Sequence, residues 1–224
     1  MDGLSFGSLF DLTHTAAAEY LTNWEKPWEA VAALQSVVLS LLAALRDEPN
    51  YVWLKEGVLA EKTAVIAPSA FIAAPAVICA GAQLRHGAFL RGNVILGRGT
   101  LAGNSVEIKN AVLLDGAQAP HFNYVGDSIL GYKAHLGAGA VTSNLKSDKT
   151  PVCIRFNGMT VQTGMKKLGA LVGDFAEIGC NCVLNPGTVI GRGATVYPLS
   201  SVRGGVPENC IYKSQNDIVP KEAR

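Results

Sequence analysis

Charge is scarce in this sequence. Only 17% of its 224 residues are charged, and Lys plus Arg (19) nearly balance Asp plus Glu (18). A formal net charge of +1, with no cluster of Lys and Arg, leaves no broad basic field, so no nucleic-acid partner is expected. Long hydrophobic runs are also lacking. The longest, Ala30 to Leu45, is broken by Gln35 and Ser36 and falls short of the roughly 20 residues a membrane span needs. The first residues show no basic, apolar and small-residue succession of the secretory kind. These absences predict a soluble, cytoplasmic chain with no membrane partner. The five cysteines are odd in number, and beyond one CxC (Cys180, Cys182) they show no paired metal-ligand spacing. Reduced, mostly packed thiols and no bound metal are the expectation.

What is abundant is small and apolar: 49% of residues are hydrophobic and 24 are glycine. Ile66, Ile72, Ile78, Leu84, Leu90, Leu96, Ala102, Ile108 and Leu114 recur every six residues, and Val172, Ile178, Leu184, Ile190, Val196 and Val202 do so again. A period of six fits neither the 3.6 of a helix nor the alternation of an isolated strand. It is the period of a hexapeptide solenoid, in which short strands stack coil upon coil and one aliphatic residue per hexad builds the interior column. A polar intruder in that column would be left without a partner, which explains its strictness. Leu130 and Leu136 keep the spacing with each other but are out of phase with Leu114, which predicts a register slip between Gln118 and Ser128, around His121.

The all-β main domain is expected over 58–205, with an excursion at 143–168 where the hexads lapse and a small hairpin about Asn157 and Gly158 is predicted. Residues 1–57 read as a helical segment, with Pro27 opening a helix that is apolar nearly all round and must be covered by something, with Trp24 and Trp28 as packing anchors. That helix is expected to cap one end of the solenoid. Residues 206–224 read as a C-terminal extension.

Of four histidines, His14 and His86 read as solvated or packing residues. His121 is set apart by Pro120, an aromatic neighbour and the turn-forming Asn123, Gly126 and Asp127, and an imidazole there could take a proton from a nucleophile near neutral pH. On their own, Arg91 and Lys109 would read as a solvated face.

The run HFNYVGDSILG, with upstream LRGN and VEIKN, the LGAG at Leu136 to Gly139, Asn144, and the late GCNCVLNPGTVIG, resembles the acetyltransferase domain of bifunctional sugar-1-phosphate nucleotidylyltransferase and glucosamine-1-phosphate acetyltransferase enzymes over about Gly81 to Val202. The resemblance implies a left-handed parallel β-helix of three hexads per coil, about six to seven coils, assembled as a homotrimer that uses acetyl-CoA. It implies His121 as catalytic base and Arg91, Lys109 and Tyr124 as residues that hold a sugar phosphate. It also implies Asn144 near the point of acetyl transfer, and Ala138 with its backbone N–H toward the thioester oxygen. Two departures stand out: a substrate-contacting asparagine of the family falls at His135, and a serine associated with the thioester falls at Cys180. No glycine-rich phosphate loop precedes the ladder, so nucleotidylyl transfer is not expected from this chain.

The reading these features favour is an acetyl-CoA-dependent N-acetyltransferase of an amino-sugar phosphate or related sugar, acting by direct attack. Two alternatives remain. One is a non-catalytic hexapeptide binding or assembly protein. The other is a zinc enzyme using His86, His121 and His135 across a subunit interface, although the closely spaced histidine pair such a site would use is absent.

Overall fold

The structure, a computed structural model, describes residues 3–222. The hexads form a three-faced parallel β-helix. On its first face Ala60, Ile78, Leu96, Leu113, Leu130, Val172, Ile190 and Val206 lie in successive register. The second face stacks Ile66, Leu84, Ala102, Ala119, Leu136, Ile178, Val196 and Tyr212. The third stacks Ile72, Leu90, Ile108, Val125, Thr142, Leu184 and Val202. These residues converge on one interior column. Among the described residues the first two faces each carry eight parallel strands, more than the six to seven coils expected, because strands Val58–Glu61 and Cys210–Ser214 extend the stack at both ends.

The slip in the ladder differs from the expectation. It consists of two separate losses of one residue, Ile108 to Leu113 and Val125 to Leu130, each five apart where the period demands six. Leu113, not Leu114, fills the column, while Leu114 points outward. Both shortened corners lie inside long strands, Glu107–Leu113 and Tyr124–Leu130, and turn on a left-handed residue: Asn110 and Asp127, each with φ 48°. Asn and Asp tolerate that conformation, so the chain turns without spending the sixth residue. His121 sits on an ordinary corner, six residues separating Ala119 from Val125.

The excursion leaves after Thr142. Thr142 and Leu184 are register partners 42 residues apart, one 18-residue rung plus 24 more. The hairpin expected there is present, with strands Cys153–Phe156 and Met159–Gln162 turning at Asn157 (φ 48°) and Gly158 (φ 75°). The helices are α1 (Phe6–Leu9), α2 (Ala18–Leu21), α3 (Pro27–Ala32) and α4 (Leu34–Leu45), and Pro27 stands at the first position of α3, where its missing N–H costs nothing. Helix stops twelve residues short of the expected boundary at 57, and Tyr51–Lys55 is a strand antiparallel to Val58–Glu61. At the other end, Asp217–Pro220 folds back on Cys210–Ser214 as a further antiparallel pair.

The helices do not cap an end of the solenoid. They lie along the first face, where the outward-pointing residues Leu59, Val77, Ile95, Val112, Ile129, Leu171 and Val189 are as apolar as the inward ones and form a second core with Leu21, Trp28, Val31, Leu34, Val38 and Leu41. Val152, Ile154 and Phe156 of the excursion join that core. Helix α4 is one-sided: Val37, Val38, Leu41 and Leu42 are buried, whereas Gln35, Ser36, Leu39 and Ser40 are exposed. Trp28 is an anchor, but Trp24 is 37% exposed. The segment is pinned by polar contacts as well. Val31 O accepts from Asn110 Nδ2 at 3.1 Å, His14 O from the Asp115 N–H at 3.0 Å, and the Asp11 N–H donates to the Asp174 carboxylate at 2.6 Å. The His14 ring stacks on Tyr132 at 3.5 Å, a packing role, and exposed His86 bonds Ser69 Oγ. No helix of the described residues is long and apolar enough to cross a membrane.

Candidate active site

The predicted residues fall into three places. Arg91, Lys109, Tyr124 and Asn144 belong to the third face and the corner that leads from it back to the first. Tyr124 points outward from its strand, and the phenol lies along the chain over Gly126, where an added Cβ would come within 2.5 Å of the Tyr124 hydroxyl. The next rung supplies Asn144, whose Nδ2 donates to Tyr124 Oη at 3.2 Å and to Asp127 Oδ2. Burial, with the negative charges of Asp127 and Glu107, holds the Tyr124 hydroxyl above its ordinary pKa, so it stays a neutral donor.

Asp127 is the residue that gathers this corner. The residue is 5% exposed, and its carboxylate accepts from Lys109 Nζ at 3.1 and 3.3 Å and from Asn110 Nδ2 at 2.9 Å, as well as from Asn144. Asn93, Asn110, Asp127 and Asn144 follow one another at seventeen-residue steps, so the two shortened rungs bring them onto one corner, where Asn93 Nδ2 also reaches Asn110 Oδ1 at 3.2 Å. That recurrence was present in the sequence and is the signal by which Asp127 and Asn110 could have been found. Arg91 is likewise paired, Nη1 to Glu107 Oε1 at 2.6 Å. Both candidate phosphate-binding cations therefore carry a carboxylate partner, although a guanidinium has further N–H groups to offer.

His121, Ala138 and Cys180 occupy the corner between the second and third faces on consecutive rungs. His121 O accepts from the Gly139 N–H at 2.9 Å and Ala138 O from the Asn181 N–H at 2.8 Å. The His121 ring is exposed and bonds no other group among the described residues, and the Ala138 N–H is likewise without an acceptor. Asn123, 2% exposed, clamps this edge: it accepts from the His121 N–H at 3.0 Å and donates to Gly137 O and Ala140 O at 2.8 and 3.0 Å. Cys180 is exposed at the same edge, while Cys182 is buried and its thiol donates to Tyr197 O at 3.1 Å.

His135 is apart from both groups. It lies on the second face, its Nδ1 3.2 Å from Glu177 Oε2, in a shallow depression with Gln118 and Lys133. No three His, Cys, Asp or Glu side chains among the described residues are grouped so as to hold a metal ion.

The chain is similar in sequence to known proteins. A bifunctional protein GlmU of Methanococcus maripaludis is 35% identical over 205 residues, 91% of this chain and 50% of that protein. A bifunctional sugar-1-phosphate nucleotidylyltransferase/acetyltransferase of Sulfurisphaera tokodaii is 36% identical over 111 residues, 50% of this chain and 28% of that protein. The chain is related to these bifunctional proteins. It spans about half the length, or less, of the curated relatives it matches. No family model matches it. Among solved structures, a hexapeptide transferase family protein from Anaplasma phagocytophilum aligns at 17% identity with a TM-score of 0.44, covering 75% of this chain and 82% of that one.

Proposed function

We propose that the chain is an acetyl-CoA-dependent N-acetyltransferase acting on the amine of an amino-sugar phosphate, glucosamine-1-phosphate-like, or a related sugar. The observation that carries the reading is the pairing of an unengaged imidazole with an unengaged backbone N–H on adjacent rungs of one edge, His121 beside Ala138. In direct attack the amine nitrogen bonds the thioester carbonyl carbon while His121 accepts the proton the nitrogen must lose. The carbonyl oxygen gains negative charge, and the Ala138 N–H would donate to it. A positioned donor of this kind contributes about 10²-fold or more. Collapse breaks the carbon–sulfur bond, and His121 returns the proton to the departing thiolate. Tyr124, Lys109 and Arg91 would hold the sugar phosphate beyond Asn144, and Cys180 would border the coenzyme on the next rung. The relatives named for acetyltransferase activity support the same chemistry.

A homotrimer belongs to this proposal. The apolar outer face is filled by the chain's own helices. His135, however, stands on the second face and Lys109, Tyr124 and Asn144 on the third, so a site that uses both draws them from two copies. Incubating the protein with acetyl-CoA and a panel of sugar-1-phosphates and free amino sugars, reading thiol release, tests the activity. No release with any amino sugar overturns it. Light scattering tests the assembly, and a stable monomer at micromolar concentration would count against it.

A further inference from the structure

We infer that Asp127 is a positioning residue for acetyl transfer: it fixes the side-chain amide of Asn144 so that position 144 offers the substrate a hydrogen-bond acceptor and never a donor. The inference deepens the functional reading above and rests on it. An ionised carboxylate only accepts hydrogen bonds, so the group that Asn144 turns toward Asp127 must be its NH₂. One of those hydrogens goes to Asp127 Oδ2 and the other to Tyr124 Oη at 3.2 Å. Both donors of Asn144 are thereby used. Its Oδ1 has no partner among the described residues and is not among the buried unsatisfied atoms, so it is open to solvent on the third face.

An open acceptor there selects a substrate that brings an N–H. A primary amine that donates one hydrogen to Asn144 Oδ1 has its lone pair turned elsewhere, and orienting a nucleophile in this way is worth large factors in rate. Asp127 acts at the same time on Lys109, whose ammonium it holds at 3.1 and 3.3 Å. It therefore restrains a cation that would otherwise pull a phosphate more strongly. One residue sets the polarity of one contact and weakens another, and no bond to Asp127 forms or breaks.

The test compares the full chain with Asp127→Asn and with the exchanged pair Asp127→Asn/Asn144→Asp, on an amino-sugar phosphate that the unmodified protein acetylates. In Asp127→Asn the amide at 144 is free to flip and Lys109 loses its counter-charge. The expected result is a kcat lower by about 10- to 100-fold with a KM for the phosphorylated sugar that is unchanged or lower. The exchanged pair restores one donor facing one carboxylate and leaves an acceptor at 144. It should recover at least part of the lost kcat. An unchanged kcat in Asp127→Asn, or a fall accompanied by a rising KM and no recovery in the exchanged pair, overturns the inference. A measurement without activity keeps it separable from the functional reading. Hydrogen exchange of the Asn144 side-chain amide in ¹⁵N-labelled protein should show both hydrogens protected, and exchange at the rate of a free amide overturns the assignment. Should the unmodified protein acetylate nothing, the functional reading falls and the amide measurement still decides the orientation.

Discussion

The first and third faces of the solenoid share one interior and differ in what they turn outward. On the first face every outward residue from Leu59 to Val189 is aliphatic and buried under α1–α4 and the excursion hairpin. On the third, the outward positions are Phe71, Phe89, Glu107, Tyr124, Val141, Val183 and Ser201, with Arg91, Lys109 and Ser143 two residues on, and most remain in contact with solvent. The ladder that makes the fold is thus silent about use. The residue beside each rung of the ladder decides whether a face becomes a second core or a surface for chemistry.

That contrast is broken most severely by moving charge from one face to the other. Val112→Asp places a carboxylate among the apolar side chains of the second core, where Val112 is 0% exposed, and a buried unpaired charge costs several kcal/mol. Loss of soluble expression or a fall in Tm of ten degrees or more is expected. Val183→Asp, outward on the third face and half-exposed, should move Tm by no more than a few degrees. Equal effects would mean that the helices do not seal the first face.

Next in size is His121→Ala, expected to lower turnover about 10²- to 10⁴-fold, the range for loss of a general base, with Tm and acetyl-CoA binding nearly unchanged. A variant that keeps most of the rate would pass the role to another group, with His135 the first to replace. Lys109→Ala should raise the KM for a phosphorylated sugar more than it lowers kcat. Because it strips the buried Asp127 of its cation, it should also lower Tm, and a KM effect without any loss of stability would contradict the ion pair.

The smallest effect concerns the thiols. Burial pushes the Cys79 thiol up from its ordinary 9.0 to about 11. A raised folded-state value means that its contribution to stability is complete below pH 9 and is lost as pH rises through about 11. Alkylation with iodoacetamide at pH 8 should modify exposed Cys180 and spare Cys79. Labelling of both at similar rates would place Cys79 nearer solvent than its burial under the helices implies.

The period, the excursion and the Asn157–Gly158 hairpin were legible because each has a local cause: one aliphatic per hexad, a lapse in the hexads, a turn that wants positive φ. The two shortened rungs were hidden because Leu113 and Leu114 are both aliphatic, so either satisfies the column until register is known. The resting place of α4 was not legible either. Apolar composition says that a helix must be covered, whereas the surface that covers it was encoded seventeen or eighteen residues apart, in Leu59, Val77, Ile95, Val112 and Ile129. The same holds for the site. Asp127, Asn110 and Lys109 meet only because stacking converts a distance of one rung along the chain into a hydrogen bond.

A stack of rungs, each touching only the next, unfolds in principle like a zipper, from whichever end is weaker. The second core removes that option here. Rungs from Leu59 to Val189 all rest on one short group of helices and on the excursion hairpin, so a rung cannot open without releasing the brace from its neighbours. The expected denaturation is a single concerted transition, with amide exchange in the Val94–Leu96 and Thr188–Ile190 strands reporting one common opening free energy despite their separation along the axis.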